Sequence, residues 1–125
     1  MKKSIEEIAG QDGRYSAEGL KFVYEGLGAT IQQIKEAQDQ DQPHHITGAE
    51  FSRGLAQLAI ERWGRLGGMV LNHWGIRTTR DLGEIVYLMI QHQWMTAQDS
   101  DTIEDFDNVY DFEEVFEKHF KFNLS

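Results

Sequence analysis

The sequence predicts a single all-α domain of five to six helices, with a helix-turn-helix-like corner near Gly75. Three observations carry that prediction. Five separate places pair helix-capping residues with an apolar stripe spaced by three and four residues. The chain has 125 residues, 40% of them apolar, with 7 Phe, 4 Tyr and 3 Trp, which fills one hydrophobic core and falls short of two. The run Trp74-Gly75-Ile76-Arg77-Thr78-Thr79-Arg80-Asp81-Leu82-Gly83-Glu84 reads as a helix end, a glycine turn and a helix start.

The elements follow in order. Ser4 precedes Glu7 by three residues, a capping box in which each side chain reaches the other's backbone N–H. Ser16 caps the next helix, with Tyr15 and Leu20 as its hydrophobic staple. Leu20, Val23, Leu27, Ile31 and Ile34 then mark one face of a long helix. Residues 37–46 form a polar loop with the only proline, Pro43. Thr47 and Glu50 make the strongest box, stapled by Ile46 and Phe51 and followed by Leu55, Leu58 and Ala59. Leu66, Met69, Val70, His73 and Trp74 predict a shorter helix stopped by Gly75. Thr78 and Asp81 open the next, whose stripe is Leu82, Ile85, Val86 and Met89. Residues 85–90 are apolar on every side, which fits a central buried helix, although their β-branched members also permit a strand. The stretch from Thr96 to Asp101 is a second loop, with room for a short hairpin near 94–102. Asp111 and Glu114, flanked by Tyr110 and Val115, cap a last helix with Phe112, Val115, Phe116 and Phe120 on its stripe. Residues 1–125 thus read as one domain, with the acidic segment 99–125 packed on it.

The charge is uneven. Residues 1–62 carry 7 Lys and Arg against 10 Asp and Glu, residues 63–98 carry 3 against 2, and residues 99–125 carry 2 against 9. The net charge of −9 therefore concentrates at the C-terminal end, where it repels phosphate and attracts basic partners or cations. Cysteine is absent, so disulfides, a thiol nucleophile and thiolate metal sites are excluded. That composition fits a reducing compartment. Met1-Lys2-Lys3-Ser4-Ile5-Glu6-Glu7 turns acidic where a signal peptide would need an apolar run. No apolar stretch approaches the roughly 18 residues of a membrane helix. A cytoplasmic protein is the expectation.

Several stretches resemble a family of small uncharacterised bacterial proteins of about this length. Asp12-Gly13-Arg14-Tyr15, Phe22-Val23-Tyr24-Glu25-Gly26-Leu27 and His45-Ile46-Thr47-Gly48-Ala49-Glu50 carry the first part of the likeness. Trp74-Gly75-Ile76 with Thr79 and Asp81-Leu82-Gly83-Glu84-Ile85-Val86 follow, then Glu104-Asp105-Phe106 and Val109-Tyr110-Asp111-Phe112-Glu113. The pattern spans roughly residues 12 to 116. It departs from the family at Gly13, where Pro is usual, and at Leu82, where Phe is usual. The resemblance implies no activity, cofactor or catalytic residue.

Candidate sites compete with plainer structural roles. In a nucleic-acid-binding helix-turn-helix, the first turns of the second helix touch bases. Here they offer Arg77, Thr78, Thr79 and Arg80, with Arg65 nearby in sequence, but the rest of that helix is core-like and the segment is nearly neutral. The acidic tail could also fold over Arg65, Arg77 and Arg80. Gly64-Arg65-Leu66-Gly67 matches the backbone clamp of KH domains, which needs a sheet that nothing here predicts; Gly64 as a helix end and Gly67-Gly68 as a packing site fit better. Histidines 44, 45, 73, 92 and 119 lack metal-ligand spacing, and His73 reads as a hydrogen-bonded residue at the core edge. The acids from Asp99 to Asp107 lack the alternating oxygens and glycine of a calcium loop. No phosphate-cradling glycine motif occurs. No metal and no cofactor are expected.

The preferred site lies where acids alternate with large apolar residues: Glu104, Asp105, Phe106, Tyr110, Glu113 and Glu117. Aromatic anchors ringed by carboxylates suit a basic protein surface. Phe112, Val115 and Phe116 read instead as core. The expected role is that of a non-catalytic interaction or regulatory protein with a protein partner or a second copy of itself. A nucleic-acid-associated regulator and a small enzyme are the alternatives.

Overall fold

The computed structural model describes residues 2–38, 46–97 and 101–118, and among these residues the fold is built from five α-helices and no strand. They are α1 (Ile5–Asp12), α2 (Ala17–Gln38), α3 (Gly48–Trp63), α4 (Gly67–His73) and α5 (Thr79–Gln91). A 3-10 turn at Gly64–Leu66 joins α3 to α4, a second spans Ile103–Phe106, and a π turn spans Glu114–Lys118. The loop expected at residues 37–46 starts later than its polar composition suggests, because α2 continues through Gln38; its residues 39–45, the central residues 98–100 of the expected hairpin, and residues 119–125 with Phe120 lie outside the described residues. On either side of 98–100 the chain is turn and coil, so the hairpin's described flanks are not paired.

All five expected caps form. Ser4 Oγ accepts from the Glu7 N–H at 3.1 Å and Ser16 Oγ from the Gly19 N–H at 3.2 Å. Thr47 Oγ1 accepts from Glu50 at 3.1 Å, Thr78 Oγ1 from Asp81 at 3.2 Å, and Asp111 Oδ1 from Glu114 at 3.1 Å. Each satisfies a donor that the first turn of a helix leaves open, a contribution of about 1 kcal/mol apiece.

α2 packs along α3, α1 closes on α2, and α5 lies against both α2 and α3. Leu20 and Val23 of α2, Leu55 and Ala59 of α3, and Leu82, Ile85 and Met89 of α5 are fully buried around that seam. The apolar run 85–90 is therefore central helix, and the strand alternative is set aside. Phe22, Trp63 and Trp74 form an aromatic cluster beside it, with ring centroids 5.5 to 5.8 Å apart.

Two stripes run differently from the spacing. On α2, Ile31 is exposed and Thr30 is buried in its place, because α3 crosses there with Gly54 directly over the Thr30 hydroxyl. On α4 the departure is larger. Leu66 and Met69, expected inward, are 55% and 63% exposed, while Leu71 is buried. Gly64 ends α3 at φ +58°, and the 3-10 turn that follows resets the helical phase before α4 begins. His73 is accordingly exposed on α4 and is not a core-edge residue.

Candidate functional site: a corner and the acidic segment docked on it

The corner is built backbone first. Gly75 turns at φ +95°, and a Cβ there would run into the Arg14 carbonyl, so only glycine fits. The Ser16 N–H donates to the Trp74 carbonyl at 3.1 Å, which ties the α1–α2 connection to the turn. Ile76 is fully buried beneath it. Asp81 then gathers donors from three directions. Its carboxylate accepts from the Arg77 N–H at 2.8 Å, the Thr78 N–H at 3.1 Å and the Tyr15 hydroxyl at 2.6 Å. Burial, reinforced by the bond to Asp81, pushes the Tyr15 phenol well above its ordinary pKa.

The acidic segment lies on this corner. Thr79, 1% exposed, accepts the Val109 N–H at 3.2 Å. Phe106 sits on Gly83, where any side chain would meet its ring. Asp105 lies equally close to Gly48 at the start of α3. The Tyr110 hydroxyl donates to the Ser52 carbonyl of α3 at 2.9 Å, and burial drives its pKa upward. Arg80 Nη1 pairs with Asp107 at 3.0 Å, and its Nε with Glu84 at 3.1 Å. Those partners, Asp107 first, hold its guanidinium charged beyond the ordinary range. Arg14 joins Glu84 at 3.2 Å and Asp12 at 2.8 Å, so alternating charges run from the α1–α2 turn through α5 to the acidic segment.

The sequence-predicted sites thus separate into parts. Thr78 caps α5, Thr79 is buried, and Arg80 is neutralised by the acidic segment; Arg65 and Arg77 are exposed. Of the expected covering of the corner arginines by the acidic tail, the described residues show Asp107 on Arg80 and leave Arg65 and Arg77 exposed; residues 119–125 of the tail lie outside the described residues. Among the partner-binding candidates, Phe106 is 4% exposed and Tyr110 has its hydroxyl committed to α3, so neither is a surface anchor. Glu104, Asp105, Glu113 and Glu117 are exposed.

Two open clefts flank Arg77 and Phe112, which line both. One, of about 490 Å³, runs past Thr78 and Arg80 to Asp107, Asp111 and Glu114. The other, of about 520 Å³, runs over Met69, Asn72 and the Phe116 ring to Glu113 and Glu117. Phe112 stacks on Tyr110 at 5.7 Å and meets Phe116 edge-on at 5.5 Å, which fixes the wall between them. Phe116 itself is wholly buried against Gly67 and Gly68, at the π turn. Sequence reading missed Met69, Asn72 and Phe112 as surface features. The available signal was the glycine pair at 67–68, which marks the face of α4 that packs and so turns Met69 outward.

Two arginines and five carboxylates line the two clefts. Among the described residues, no group of three or more His, Asp or Glu is arranged to hold a metal ion, and no helix is long and apolar enough to cross a membrane. No known protein family, no curated protein and no solved structure matches the chain. The stretches 74–86 and 104–113 meet in space, at Thr79–Val109 and Gly83–Phe106. Their glycines, caps and buried rings dock the acidic segment on the corner. Gly13 closes α1 at φ +80°, a conformation closed to proline.

Proposed function

We propose that this protein is a non-catalytic interaction module, and that the face formed by α4, Arg77 and residues 107–117 binds a basic, apolar-anchored segment of a partner protein. The observation that carries the reading is the exposed Met69 beside the half-buried Phe112 in a cleft edged by Glu113 and Glu117. Apolar surface in a recess, with charge at the rim, is the composition of a recognition site. The excess of carboxylates gives the partner's sign. A second copy of the chain would bring the same net −9 to the interface, which favours a different, basic protein.

The nucleic-acid reading has less support. A recognition helix must present a free face to a groove, and α5 buries Thr79, Leu82, Ile85, Val86 and Met89. Its one arginine, Arg80, is engaged by Asp107 and Glu84.

The test uses a fluorescent peptide that alternates lysine with leucine and phenylalanine. Glu113→Lys with Glu117→Lys should weaken its binding roughly tenfold or more. Glu18→Lys with Glu36→Lys, the same change in net charge on exposed positions of α2, should weaken it by no more than about twofold. Met69→Ser should weaken binding with little change in its salt dependence. Equal effects from the two charge reversals would reduce the interaction to net charge and overturn the reading. Dimerisation through this face, measured by sedimentation and abolished by Met69→Ser, would assign the face to a second copy instead.

A further inference from the structure

Arg77 is the anomaly of the acidic face. Arg14, Arg62 and Arg80 each reach a carboxylate: Asp12 and Glu84, Glu25, and Asp107 and Glu84 respectively. Among the described residues Arg77, like Arg53 and Arg65, reaches no carboxylate, although five carboxylates line the two clefts that it shares with Phe112. Its backbone is fixed on both sides. Ile76 is buried before it, Thr78 caps α5 after it, and its own N–H is held by Asp81 at 2.8 Å. The exposed guanidinium, carried on a fixed backbone where the two clefts meet at Phe112, keeps its donors free for a planar anion.

A uniformly basic partner would be repelled at this point, because its charge would meet Arg77 in the middle of the face. We infer that Arg77 is a specificity-determining residue: the partner segment is basic on its flanks and places one carboxylate, from an aspartate, a glutamate or a chain terminus, on the Arg77 guanidinium. This deepens the proposed function and rests on it. The segment then has three parts in fixed register. Cationic residues face the rims at Asp107–Glu114 and Glu113–Glu117, an apolar side chain fills the recess over Met69 and Phe112, and an acid meets Arg77 between them.

Selection of a random peptide library displayed on phage, against the full chain and against Arg77→Gln in parallel, tests this. The full chain should enrich peptides with Lys or Arg, one aromatic or aliphatic anchor, and Asp, Glu or a free C-terminus at a constant distance from that anchor. Arg77→Gln should enrich the same basic and apolar pattern without the acid. For a selected peptide, replacing its Glu by Gln, its Asp by Asn, or its free C-terminus by an amide should cost roughly five- to tenfold on the full chain and about nothing on Arg77→Gln, since that pair of changes isolates the ion pair. Basic, apolar peptides without a fixed acid, or an acid preference that survives in Arg77→Gln, would overturn the inference and leave the proposed function standing. Enrichment of peptides with no basic residues would overturn both.

Discussion

Gly75 and Gly28 show how differently one residue type is used. Gly75 stands at φ +95° under the Arg14 carbonyl, whereas Gly28 lies within α2 with open space where a Cβ would go. Gly75→Ala should therefore lower stability by about 2 kcal/mol or more, through a left-handed backbone and a backbone clash. Gly28→Ala should raise it by roughly 0.5–1 kcal/mol, by restricting the unfolded chain in an exposed helix. Urea midpoints of the two variants check this, and a Gly75→Ala protein as stable as the parent would remove the reason given for the corner. Tyr110 makes a second prediction at this scale. Burial holds its folded pKa above the ordinary 10.0, so the folded state keeps a proton that the unfolded chain releases. The stability it contributes is complete below about pH 10 and drains away above it, at up to about 1.4 kcal/mol per pH unit. Between pH 9 and 11 the parent should lose about 1 kcal/mol more than Tyr110→Phe, read from urea curves at each pH. An identical loss in both would contradict a buried phenol.

At the scale of elements, the helix starts were legible because a cap is local. Ser4, Ser16, Thr47, Thr78 and Asp111 each act within three residues, and all five bonds form. Helix ends and rotations were less legible. α5 stops at Gln91 with Gln93 at φ +66°, where a glycine would have announced the end. The facing of α4 depends on the turn at Gly64–Leu66 and on Phe116, which lies far along the chain. The stripe of Leu66, Met69 and Val70 could not carry that information, because three-four spacing fixes a helix and leaves open which neighbour arrives. Phe116 is the element-level anchor of the acidic segment. Phe116→Ala should cost about 3–5 kcal/mol, as the emptied site lies against Gly67 and Gly68, which have no side chains to move into it. A loss below about 1 kcal/mol in thermal or urea unfolding would mean that the segment is held by its ion pairs and not by its ring.

At the scale of the whole molecule, the sequence carried the fold class and the concentration of negative charge at the C-terminal end. It could not say that the acidic segment and the corner are one structure. That follows from contacts between residues far apart in the chain: Thr79 with Val109, Arg80 with Asp107, and Ser52 with Tyr110. Those contacts divide the sequence's candidates. Phe106 and Tyr110 serve the core, Arg80 serves the ion network, and Glu113 and Glu117 remain at the surface beside Met69 and Phe112. The division gives a molecule whose acids fall into two groups, one holding the segment down and one facing outward. Salt should accordingly weaken partner binding far more than it weakens folding, because the outward carboxylates are screened while the buried rings are not.

Backbone amide chemical shifts of the 15N-labelled chain, followed during titration with the lysine–leucine–phenylalanine peptide, test the central claim most directly. The largest shifts should fall on Gly68, Met69, Asn72, Arg77 and residues 112–117, with α1 and the exposed side of α2 unmoved. Shifts centred on α2, or spread evenly over every exposed carboxylate, would contradict it.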